Sequence, residues 1–184
     1  MKLGAKELRI SQPTGDDIQK IKRNPITIIL DNVLDTYNVG AIFRLADAIA
    51  AEKIYLCGDT LTPPNPQIKK ASVGTWQWVP WQYASSTSQA IQLLKTQNSK
   101  LTTIAVEQSA KSVPFHKIHY KFPLALVVGN ETYGVSQEVL NLVDQIVEIP
   151  MWGVNKSLNV MVSMVIVLYE AMKQNDRKNV MLQM

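Results

Sequence analysis

Three stretches of the sequence combine residues that could do chemistry: DNVLDTYNVGAIFR (31–44), VVGNETYGVS (127–136) and EIPMWGVNKSLNV (148–160). Each contains Asn and Gly, which tolerate left-handed backbone and expose main-chain N–H groups. The first stretch raises a question of its own. Arg44 sits among Ala41, Ile42, Phe43, Leu45 and Ala46, and a guanidinium buried in an apolar helix is costly unless it is paired or used. Several familiar chemistries are absent. No G-x-G-x-x-G follows a strand, and GNETYG has P-loop-like glycines without the Lys that should follow. No G-x-S-x-G elbow is present. His116 and His119, in PFHKIHYKF, read as surface histidines beside lysines, although unpaired RNA bases can stack on such a loop. The single cysteine, Cys57, forms no internal disulfide and reads as a small buried residue. No Cys/His set has metal-ligand spacing, so no metal is expected.

The elements that must position these residues alternate in type. Short apolar strands are expected at 25–33, 53–58, 101–108, 123–130 and 145–151, with an aromatic edge segment at 76–83 interrupted by Pro80. Helices are expected from near Asn38, over 85–98, over 136–143, and from about Ser157 to Gln174. Residues 59–67 are a proline-rich loop. This alternation predicts an α/β fold: a mostly parallel sheet sandwiched by helices. Ligands in such folds sit outside the carboxyl ends of the strands. All three stretches follow strands and open helices, so they form one site at one edge of the sheet.

The chain has 184 residues, 46% apolar and 18% charged, with a formal net charge of +4. That describes one globular domain with a mild basic excess, which permits a nucleic-acid partner without requiring one. Residues 1–24 read as a short basic arm and 25–184 as the domain. The N-terminus lacks the apolar segment of a signal peptide. The longest apolar stretch, Leu158–Met172, falls short of the roughly 20 residues of a membrane span. The expectation is a cytoplasmic protein that does not enter a membrane.

The three stretches, in this order, resemble the three motifs of the SpoU (TrmH) family of SPOUT-class RNA methyltransferases. The first, N-x-G-x-x-x-R, is Asn38, Gly40 and Arg44. The second, G-N-E-x-x-G, is Gly129, Asn130, Glu131 and Gly134. The third is Ile149, Pro150, Met151, Gly153, Ser157, Leu158, Asn159 and Val160. KASVGTWQWVPW also resembles the family's stretch between its second and third strands, and the likeness spans about residues 26–170. The resemblance implies a deep trefoil knot (the alpha/beta knot) at the C-terminal end, a homodimer with the last helix in its interface, and S-adenosylmethionine as cofactor. It implies methyl transfer to a ribose 2′-hydroxyl of tRNA or rRNA, both of which fit. A catalytically silent RNA-binding protein on the same fold is the alternative, but it would predict loss of Arg44 or of the cofactor loops.

By this resemblance Arg44 is catalytic. A guanidinium is a poor base, so it either clamps a phosphate beside the acceptor hydroxyl or loses a proton in a site hostile to its charge; the clamp is the better physics. Asn38 would hold substrate or loop, and Glu131 would orient Arg44 or Asn38. Ser157 and Asn159 would cap the last helix and position a substrate phosphate. Val106, Glu107, Gly129, Asn130, Ile149, Ser157 and Leu158 would line the cofactor pocket, largely through backbone groups. The four methionines 151, 161, 164 and 172 read as core packing. The chain departs from the family at Thr36–Tyr37, where Pro often precedes the aromatic residue. It departs again at Ala50, near a usual Gly, and at Met161, where Ser or Ala is usual. No large N-terminal RNA-binding domain is expected from residues 1–24. Lys2, Lys6, Arg9, Lys20, Lys22 and Arg23 of the arm, with the FHKIHYK loop, are the expected substitute.

Overall fold

The chain reaches its domain through α1 (Gly15–Gln19), whose start is closed by a capping box between Thr14 and Asp17. This computed structural model describes residues 13–181, so Lys2, Lys6 and Arg9 of the expected arm lie outside the described residues. Ile18 and Ile21 pack against the core. Arg23, expected to face RNA, instead donates to the carbonyls of Ala51 (3.0 Å) and Trp78 (2.9 Å). That end of the arm is docked on the domain.

The β-branched run from Ile26 to Ile29 is buried in β1 (Asn24–Asp31). Then come α2 (Thr36–Ala48), capped by Asp35, and β2 (Ala51–Cys57). The proline-rich loop ends in a helix, α3 (Pro66–Ser72). Asn65 caps it, and Pro66 occupies the first turn, where a missing N–H costs nothing. The aromatic segment forms a shorter strand than expected, β3 (Trp81–Ala84), because the left-handed Gly74 leads into a 3-10 turn at Thr75–Gln77. Next are α4 (Thr87–Gln97), capped by Ser86, and β4 (Thr102–Val106). A two-residue strand that the pattern did not announce, β5 (Val113–Pro114), precedes a 3-10 turn at Phe115–Lys117, and both His116 and His119 are exposed. The chain ends with β6 (Leu124–Val128), α5 (Gln137–Leu142), β7 (Gln145–Glu148) and α6 (Val160–Met181).

The seven strands lie in the order β3-β2-β1-β6-β4-β7-β5, and every pairing is parallel. Alternate residues of each strand face opposite layers. Ile26, Ile28, Leu30 and Leu126 pack with Phe43 of α2 and with Met164, Val167 and Leu168 of α6. Ile29, Ala105, Ala125 and Val127 pack with Ala90 and Ile91 of α4 and Val139 of α5. Helices therefore cover both faces, as a buried parallel sheet requires. Met161 and Met172 pack against the first of these clusters. Cys57 is fully buried, and burial pushes its thiol up to about 12. Among the described residues no helix is long and apolar enough to cross a membrane.

This order sets the carboxyl ends of β1, β6, β4 and β7 side by side in the middle of the sheet. Strand order departs from sequence order here, which is where open parallel sheets bind ligands.

Candidate active site

Asn38 lies in the first turn of α2 and is nearly buried, at 6% exposure. Its amide is used at both ends. Nδ2 donates to Glu131 Oε1 (3.0 Å), and Oδ1 accepts from Asn159 Nδ2 (2.9 Å). Glu131 also accepts from the backbone N–H groups of Leu34 (3.1 Å) and Asp35 (3.1 Å). Asn159 in turn accepts from Met161 N (2.9 Å) and Val162 N (3.3 Å), which makes it the cap of α6. A hydrogen-bonded chain, Glu131–Asn38–Asn159, thus ties together the loops after β6, β1 and β7. Partial burial pushes the Glu131 carboxyl up, but the Asn38 amide and the backbone donors outweigh it and hold the group below its ordinary value.

The loop after β6 is a tight hairpin. Asn130 and Gly134 exchange backbone hydrogen bonds of 3.0 and 2.9 Å, and Asn130 Nδ2 donates to Asn32 O (2.9 Å). Gly134 has φ +70°, and a Cβ there would stand 2.1 Å from Glu107 Oε2. Gly129 is as tightly placed, since a Cβ on it would stand 2.1 Å from the Gly134 carbonyl carbon. Below the hairpin the Asp31 carboxylate, 2% exposed, accepts from Thr87 Oγ1 (2.7 Å) and Ser136 N (2.8 Å). It therefore anchors the hairpin to β1.

Glu107 and Gln108 fasten the remaining sides. Glu107 Oε2 accepts from Val135 N (2.8 Å), and Gln108 Nε2 donates to Lys156 O (2.5 Å). The end of β4 is thus clipped to the loops on either side. Sequence reasoning assigned Glu107 only backbone contacts and did not single out Asp31 or Gln108. The available signal was a polar pair standing directly after the apolar strand β4.

These loops enclose a cavity of about 250 Å³. From the end of β4 it is lined by Val106 and Glu107, from the hairpin by Gly129 and Asn130, and from the loop before α6 by Ile149, Ser157 and Leu158. All seven expected cofactor residues therefore face one space. Met151, expected in the core, lines the cavity too. Among the described residues no group of His, Cys, Asp and Glu side chains could hold a metal ion.

Two expected site residues stand differently. Ser157 does not cap α6, which begins at Val160; its N and Oγ both donate to Asn155 Oδ1 (3.0 Å each). Arg44 is exposed rather than half-buried. The buried positions of α2 leave Tyr37, Ala41, Arg44 and Ala48 on one outward stripe, at helical spacing. Glu131 reaches Asn38 and not Arg44, and Arg44 has no hydrogen-bond or ion-pair partner among the described residues. Six residues along a helix also separate it from Asn38 by about 9 Å of rise.

The family described as SpoU rRNA Methylase matches residues 25–169 of the chain. The tRNA (guanosine(18)-2′-O)-methyltransferase of Aquifex aeolicus is 32% identical over 169 residues, covering 88% of this chain and 75% of that protein. The crystal structure of the Aquifex aeolicus TrmH/SpoU tRNA modifying enzyme matches with a TM-score of 0.76 at 31% identity, over 95% of this chain and 84% of its own. The crystal structure of an AdoMet-bound rRNA methyltransferase from Sinorhizobium meliloti matches with a TM-score of 0.75 at 29% identity, over 90% of this chain and 59% of its own.

Proposed function

This chain belongs to the SpoU rRNA Methylase family, and on that footing we propose that it transfers a methyl group from S-adenosylmethionine to a ribose 2′-hydroxyl of tRNA or rRNA. The observation that carries this reading is the Glu131–Asn38–Asn159 chain, which joins the three motif loops beside the cavity. The cavity suits the cofactor's mixed character. Val106, Ile149 and Leu158 give it apolar walls, while Glu107, Glu131 and Glu148 supply negative charge and Lys156 a positive one. Carboxylates favour a sulfonium and an ammonium; the lysine favours a carboxylate. Bound there, S-adenosylmethionine supplies an electrophilic methyl group.

The chain's own residues have three tasks. Asn38, Glu131 and Asn159 hold the loops in register, so that acceptor and donor meet in line. Arg44, exposed and uncommitted, grips an RNA phosphate in a bidentate manner and orients the adjacent ribose. The amino end of α6, which begins at Val160 and is capped by Asn159, carries the positive end of the helix dipole and favours a second phosphate nearby. The acceptor hydroxyl is a weak nucleophile, so orienting it and easing its proton away is the protein's contribution to the barrier.

This reading includes a homodimer. Outward residues of α6 support it, since Val162 is 39% and Tyr169 51% exposed. It also includes the C-terminal knot, which rests on membership of the family, and a cytoplasmic site of action. The arm's outward residues Lys20 and Lys22 remain proposed RNA contacts, and Arg23 no longer does.

The deciding experiment gives wild type and Arg44→Ala labelled S-adenosylmethionine with bulk tRNA and with rRNA. Label should enter one pool as an alkali-resistant dinucleotide, and Arg44→Ala should lose it while calorimetry shows the cofactor still binding. Absence of cofactor binding in the wild type would overturn the reading. Sedimentation of the wild type tests the dimer.

A further inference from the structure

Two large aromatic side chains on the loops that border the cavity point into solvent. Tyr133 is 87% and Trp152 92% exposed. Tyr133 lines the cavity, and Trp152 directly follows Met151, which lines it as well. An isolated exposed aromatic needs no explanation, but these two belong to two loops that line one cavity through Tyr133 and through Met151 and Lys156, and one of them is rigidly presented. Asn130 Oδ1 accepts from both Thr132 N (2.8 Å) and Tyr133 N (3.1 Å), and Asn130 pairs with Gly134 across the hairpin. The backbone under Tyr133 is therefore fixed, and its ring is held out into solvent.

The surroundings select the occupant. The core of a protein-docking patch is depleted of charge. Here Tyr133 follows Glu131 and Thr132, and Trp152 shares its loop with Val154, Asn155 and Lys156, all exposed, so charged and polar groups outnumber the one further apolar side chain. Rings interleaved with hydrogen-bonding groups and a nearby cation fit unpaired nucleotides, whose bases stack while their phosphates meet the charge. Resting on the methyltransferase reading above, we propose that Tyr133 and Trp152 are the base-stacking platform for the acceptor nucleoside and its neighbour. They select unpaired RNA at this site.

Trp152 is far more exposed than Trp76, Trp78 and Trp81, so it dominates the response of tryptophan emission to a ligand at the rim. An unstructured oligoribonucleotide of mixed sequence should quench the wild-type emission saturably, and the same RNA as a perfect duplex should not. Read by the anisotropy of a dye-labelled strand, Trp152→Ala and Tyr133→Ala should each weaken binding of the single strand by about tenfold. Tyr133→Phe should bind nearly as wild type, because the ring and not the hydroxyl stacks. In transfer assays Trp152→Ala should raise KM for RNA by a similar factor with a smaller change in kcat. Calorimetry with S-adenosylmethionine alone separates the two claims. If the cofactor binds while both alanine variants bind RNA as wild type, the platform is wrong and the methyltransferase reading stands. If instead Trp152→Ala shifts the sedimentation of the protein alone, a second copy covers the rim and the platform is again wrong. If wild type does not bind the cofactor, the reading beneath both falls.

Discussion

At the scale of single residues, Asn38 decides how the site is held. Its amide donates to a carboxylate and accepts from another amide, so one side chain joins two loops to the start of α2. Asn38→Ala should leave Glu131 and Asn159 each short of a partner and lower the single-turnover rate of methyl transfer by at least about tenfold. Asn38→Asp should be worse at neutral pH, because it sets a second carboxylate against Glu131. It should recover in part as pH falls toward 5, where one of the two takes up a proton and becomes a donor. Rates of wild type and both variants from pH 5 to 8 check this, since a loss of folding alone would not recover on acidification. Asn38, Glu131 and Asn159 were legible in the sequence as polar residues of three separate loops. That they bond in series was not, because 93 and 121 residues of chain separate the partners. Arg44 was misread in one respect for a related reason. Its neighbours in sequence are apolar, but a helix turns them inward and leaves Arg44 outside.

At the scale of elements, the end of α2 carries a strain that the sequence hinted at. Ala50 lies near the position at which the resemblance implies Gly, and it has φ +49°. It is the residue after the cap Ile49, the position at which helices turn left-handed, and its own N–H donates to Asp47 O (2.9 Å). A left-handed conformation costs an L-residue about 1–2 kcal/mol, offset in part by the greater freedom of Gly in the unfolded chain. Ala50→Gly should therefore raise stability by about 1 kcal/mol and Tm by about 2–4 °C, read by calorimetry, with no change in cofactor affinity. Other elements show what pattern can and cannot convey. β6 was plain because five consecutive apolar residues sit between turn signals. β5 was invisible, being two residues long and half proline. The start of α6 moved from Ser157 to Val160 because two Asn residues compete there. Asn155 takes the Ser157 hydroxyl, and Asn159 takes the helix's first N–H groups.

At the scale of the molecule, the two ends of the parallel sheet have separate duties. The carboxyl ends carry the cavity and the polar chain. At the amino ends of β4 and β7, Asp144 accepts from the N–H and hydroxyl of the fully buried Thr103 (2.7 Å each) and pairs with Lys95 (2.9 Å). Partial burial pushes its carboxyl up, but Lys95 and Thr103 together hold it below the ordinary value of 3.8. The sign follows from that direction. A carboxyl with a depressed folded pKa contributes stability that is present above its unfolded value and is lost as pH falls through its folded one. Asp144→Asn keeps an amide oxygen for the Thr103 donors but loses the charge that strengthens both bonds, so it should cost about 1 kcal/mol in urea unfolding at pH 7. The Lys95 pair lies half in solvent and adds little. The gap between variant and wild type should shrink as pH drops below about 3.8, because the wild-type carboxyl then protonates as well. Since Asp144 lies at the opposite end of the sheet from the cavity, the variant should bind S-adenosylmethionine as wild type does at neutral pH. A variant that lost cofactor affinity in step with stability would show that the two ends are coupled. Loops fastened across the carboxyl ends by Gln108, Asp31 and Asn38 argue that they are not.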